Sequence, residues 1–118
     1  MTAQVYEWHH LRVLGIGPGE VLTRPADLIG DAWAQQAELV IIPSSRLKAA
    51  FFDLSSGLAG ELLQKFVNYS IRLVILGDVS AYTASSTALR NFVAESNRGQ
   101  AIWFVNDLDE LGVRLARR

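Results

Sequence analysis

The chain has 118 residues, half of them hydrophobic, with 11 basic and 12 acidic side chains and a formal net charge of −1. A single domain of this length buries about two thirds of its unfolded surface, which excludes a disordered chain, and balanced charge excludes the basic footprint of a nucleic-acid binder. The absence of cysteine excludes disulfides and thiolate metal centres and points to a reducing cytoplasm; no apolar run reaches the roughly 20 residues of a membrane span, and Met1-Thr2-Ala3-Gln4 lacks the regions of a signal peptide.

Val5 to Trp8 and Arg12 to Ile16 read as two short strands, and His9-His10 between them suits a hairpin turn. Gly15-Ile16-Gly17-Pro18-Gly19 closes the second strand. Thr23-Arg24-Pro25 predicts a helix start with Pro25 in the first turn, and Leu28, Ile29, Ala32 and Trp33 share one face of that helix. Leu39-Val40-Ile41-Ile42, closed by Pro43, has the continuous apolar character of a strand buried on both faces. Leu58, Ala59, Leu62, Leu63, Phe66 and Val67 repeat at helical spacing and predict a helix ending near Asn68-Tyr69-Ser70.

Arg72 to Leu76 is a further buried strand, stopped at Gly77-Asp78. Ser85 or Ser86 caps the next helix, whose apolar face is Leu89, Phe92, Val93 and Ser96; Gly99 is placed to end it in the left-handed conformation. Ala101 to Val105 forms the last strand. Asp107 and Glu110 have the spacing of a capping box, Leu108, Leu111 and Leu115 are expected to face inward, and Arg114, Arg117 and Arg118 complement the final helix dipole. The alternation predicts one α/β domain over residues 1–118: a mixed, mostly parallel sheet of about five strands, an N-terminal hairpin and about four helices.

The turn Asp53-Leu54-Ser55-Ser56-Gly57-Leu58, at the mouth of the longest helix, resembles the Asp-Ser-Ser-Gly-Leu signature of the STAS fold of anti-sigma-factor antagonists, with Leu54 standing between the aspartate and the serine pair. The whole chain more closely resembles domain-of-unknown-function family 4180, a bacterial family. The matching stretches are Phe51 to Gly60, Gln64 to Tyr69, Leu76-Gly77-Asp78, Phe92 to Gly99, and Trp103-Phe104 with Asp109-Glu110-Leu111. The closer family brings a fold and no activity. The antagonist resemblance implies that Ser56 is a phosphorylation site, with an anti-sigma kinase and a phosphatase as partners.

Read as residues, Ser55 and Ser56 are helix caps or acceptors of a phosphoryl or other anionic group, since a helix start carries free N–H groups and partial positive charge; Asp53 and Gly57 shape their turn. Asp78 follows a buried strand, where open α/β sheets place ligand crevices. Arg46, Asp53, Asn106 and Asp107 belong to the same rim, so an alternative site has Asp78 or Asp53 as acid or base and Arg46 as an anion clamp. A turn role explains each of these carboxylates without further help, and is the favoured reading.

His9 and His10 are adjacent, and no third ligand at a diagnostic spacing points to a metal. Gly15 to Glu20 lacks both the third glycine of a dinucleotide loop and a following Lys-Ser or Lys-Thr. There is no nucleophile elbow. Of Trp8, Trp33 and Trp103, any left exposed would mark an interface, with a second copy as one candidate.

The expectation is a non-catalytic, cytoplasmic, STAS-like interaction or regulatory module without cofactor. It binds a regulator, a kinase or itself near Ser56, with a small anionic ligand as a further candidate; the alternative is a small-molecule binder or enzyme at the strand-end rim.

Overall fold

A computed structural model describes residues 3–117, so Met1, Thr2 and Arg118 lie outside the described residues. Among the described residues five strands, β1 (Ala3–Trp8), β2 (Leu11–Ile16), β3 (Leu39–Pro43), β4 (Arg72–Leu76) and β5 (Ile102–Val105), form one sheet in sequence order. β1 and β2 are an antiparallel hairpin; β2, β3, β4 and β5 are parallel neighbours. His9 and His10 make the hairpin turn, both at positive φ as a tight two-residue connection demands.

Among the described residues five α-helices connect and follow the strands: α1 (Leu28–Ala34), α2 (Leu58–Asn68), α3 (Ser80–Thr83), α4 (Thr87–Arg98) and α5 (Leu108–Ala116). The count exceeds the expected four because the short α3 precedes α4. Asp78 starts it by accepting a hydrogen bond from the Ser80 amide at 2.8 Å, and Ser86 then caps α4 through the Leu89 amide. Pro25 opens a 3-10 turn, Pro25–Asp27, that leads directly into α1.

Strand alternation divides the core in two. Leu14, Val40, Ile42, Leu73, Ile75 and Phe104 face α1, α2 and α4, which contribute Ile29, Leu62, Phe66 and Leu89. On the other face Val13, Leu39, Ile41, Val74, Trp103 and Val105 meet Leu111 and Leu115 of α5. Consecutive parallel strands joined by right-handed crossovers place their helices on one side, so α1 and α2 lie side by side there.

Two expectations, for Gly99 and Leu108, are corrected, and one of the three tryptophans is found exposed. Gly99 is extended, at φ −95° and ψ −163°, because the chain turns from α4 straight toward β5; its carbonyl accepts the Trp103 indole N–H at 2.7 Å. Leu108 is exposed while Leu111 and Leu115 are buried, since it occupies the first position of α5, at the rim. Trp33 is 65% exposed although Leu28, Ile29 and Ala32 of the same helix are buried.

The outer edge of β5 is closed by a side chain: the Asn97 amide donates to the Phe104 carbonyl and accepts from its N–H. This occupies the backbone groups of Phe104, part of the edge that would template a further strand. Just past the carboxyl end of β4, Gly77 has φ +134°, and a methyl group there would overlap Ser44 Oγ. Gly77→Ala should therefore lower stability by about 1–3 kcal/mol, seen as a reduced urea midpoint with an unchanged slope.

Candidate functional site

The 53–58 turn is built as a sequence of caps. Asp53 Oδ1 accepts from the Ser55 amide at 3.1 Å and from the Ser55 hydroxyl at 2.6 Å. Ser56 Oγ donates to the Ala50 carbonyl at 2.7 Å and accepts from the Leu58 amide at 3.2 Å. Gly57, at φ +80°, then reverses the chain into α2, a conformation that favours glycine. Asp53, Ser55, Ser56 and Gly57 thus form one exposed unit at the start of α2.

The other rim residues are held in separate turns. The Ser80 backbone N–H, and secondarily its hydroxyl, hold the Asp78 carboxyl below the usual aspartate value. Asp107 accepts from the Glu110 amide, and the Glu110 carboxylate accepts from the Asn106 amide, both at 2.8 Å. Arg46 is 7% exposed and points toward the loop after β2. Its Nε donates to the Glu20 carbonyl at 2.5 Å and its Nη1 to the Gly17 carbonyl at 2.7 Å. Gly19 lies so close that an added Cβ would stand 3.0 Å from Nη1. Among the described residues no group of three or more His, Asp or Glu side chains is arranged to hold a metal ion.

A concavity lies beside this rim. A groove of about 1060 Å³ runs between α1 with its leading 3-10 turn and α2. Ile29, Leu47, Phe51 and Leu62 are buried residues in its lining. Trp33, 65% exposed, Leu58, 39% exposed, and Tyr69, 50% exposed, stand along its margins. Trp33 and Tyr69 meet edge to face, ring centroids 5.8 Å apart. Arg24, Asp27, Lys48, Glu61 and Lys65 supply the charge. The Ser56 turn is contiguous with the groove through Leu58, which lines it and whose amide the Ser56 hydroxyl accepts.

Sequence reasoning located the turn and missed the groove. The signal was present in α2: its apolar stripe is wider than the face it buries, with Ala59, Leu62 and Phe66 inside and Leu58 and Val67 exposed. Leu58 is the surplus that borders the groove.

A family model described as a domain of unknown function, DUF4180, matches residues 21–115. No curated protein and no solved structure matches the chain.

The Asp78 cap has a defined pH signature. Its lowered carboxyl stabilises the fold above the ordinary aspartate value of 3.8, and that contribution is lost as pH falls through the lower folded value. The melting-temperature gap between the native chain and Asp78→Asn should be constant near neutrality and close in acid.

Proposed function

The chain belongs to the DUF4180 family of domains of unknown function, and from that premise we propose that it is a non-catalytic, STAS-like bacterial interaction module acting in the cytoplasm. It docks a partner protein in the α1–α2 groove. The observation that carries the reading is the clustering of exposed Trp33, Leu58 and Tyr69 around one apolar trough. Exposed apolar groups gathered in one place are a mark of recognition surfaces, and aromatic side chains are enriched there.

Ser56 is the regulatory element of this reading. Its hydroxyl is on an exposed residue at the start of α2, and a phosphoryl group there adds about two negative charges. The helix start tolerates that charge. A docked apolar or acidic surface beside Leu58 does not, so modification releases the partner. The rival catalytic reading draws less support, because Asp53, Asp78 and Asp107 each cap a turn and Arg46 binds backbone carbonyls.

The test is partner capture followed by titration with variants. A partner bound by the native chain should lose at least about tenfold in affinity with Trp33→Ala and with Ser56→Glu, and keep its affinity with Asp78→Asn. Equal binding by all three variants contradicts the reading. Incubation with candidate kinases and intact-mass measurement tests the switch separately: a phosphoryl group mapped to Ser56 is expected, and modification confined to other residues removes it.

A further inference from the structure

Resting on the docking reading, we infer that the occupant of the α1–α2 groove is an amphipathic helix of about three turns with an acidic polar face. Shape supplies the first reason. The groove is a trough between two helices that run the same way, and its α2 margin, from Leu58 to Tyr69, is about 16 Å long. Both walls have their interior N–H and C=O groups engaged in their own helices. They offer no edge on which an extended peptide could continue a hydrogen-bonded ladder. A segment entering an apolar trough of this kind must satisfy its own backbone, and a helix does so.

Charge supplies the second reason. The whole chain carries a net charge of −1, whereas the groove margin has three cations, Arg24, Lys48 and Lys65, against two acids. The acids are committed: Asp27 pairs with Arg24 at 3.6 Å and Glu61 with Lys65 at 3.4 Å, both pairs exposed. Among the described residues Lys48 stands within ion-pair distance of no carboxylate. The members of each pair neutralise one another, so the net positive charge of the margin is that of Lys48, which lines the groove ahead of α2. An acidic flank on the incoming helix complements this charge and a basic one opposes it.

Gly30 is the third element. It sits inside α1 and lines the groove, and a Cβ there would meet nothing within 4 Å. Glycine within a helix costs about 1 kcal/mol relative to alanine. Neither a positive φ nor a packed neighbour calls for it at this position. Its missing side chain widens the trough at mid-length. Gly60 of α2 is equally open but does not line the groove, so the width is set from the α1 wall.

The experiment is selection from a displayed library of random peptides of about 14 residues against the full chain. Enriched peptides are then titrated against the native protein, Gly30→Leu and Lys48→Glu, with intrinsic tryptophan fluorescence as one readout and melting temperature as the check on folding. Gly30→Leu fills the trough while raising helix propensity, so its melting temperature should match or exceed the native value. The inference expects enrichment of sequences with apolar residues at helical spacing and an excess of Asp and Glu. These should bind at least about tenfold more weakly to Gly30→Leu, bind more weakly to Lys48→Glu, and lose affinity as ionic strength rises.

Enrichment of basic or proline-rich sequences that still lose binding on Gly30→Leu overturns the acidic helix and leaves groove docking standing. Enriched peptides that ignore Gly30→Leu, or a selection with no enrichment, overturn both.

Discussion

The arrangement of this protein turns on one buried guanidinium. Arg46 follows β3 and reaches across the strand ends to the loop after β2, where its donors meet the Gly17 and Glu20 carbonyls. Its own carbonyl accepts the Leu22 amide at 2.7 Å. A buried charge without such partners would be strongly destabilising, so these polar atoms select one course for the loop. That course leads straight into Pro25 and α1, the wall of the groove. The residue expected as an anion clamp is thus placed as a strap between two loops, and its positive charge is absorbed by backbone carbonyls.

The same economy of polar groups explains the rest of the rim. Parallel strands end together, and each following turn must satisfy amides that the next helix leaves free. Asp53, Asp78 and Asp107 each accept such an amide. Carboxylates at strand ends therefore look like a catalytic constellation in sequence and behave as three separate caps in space. What this fold leaves open lies between helices: strands in sequential order put α1 and α2 side by side, and the space between them is lined by side chains that the core does not consume.

Much of this was legible in the chain. The apolar runs at Leu39 and Arg72, the hairpin around His9-His10 and the long α2 stripe follow from periodicity and turn chemistry. Ser86 and Asp107 act as the caps their positions suggest. Three features were not legible, each for a physical reason. Gly99 has two ways to end a helix, and the bond from its carbonyl to the Trp103 indole, a tertiary contact, accompanies the extended one. Trp33 shares a helical face with buried residues, yet that face is broader than the contact α1 makes with the sheet. Arg46 is a surface residue by type, and only the folding back of Gly17–Glu20 gives its charge enough carbonyls to be buried.

Hydrogen exchange on Arg46→Met, read peptide by peptide, tests the strap most directly. If Arg46 holds the groove wall in place, protection falls across Gly17 to Asp27, while β3, β4 and β5 keep theirs. Unchanged exchange in that loop, or an even loss of protection across the whole chain, would contradict the account.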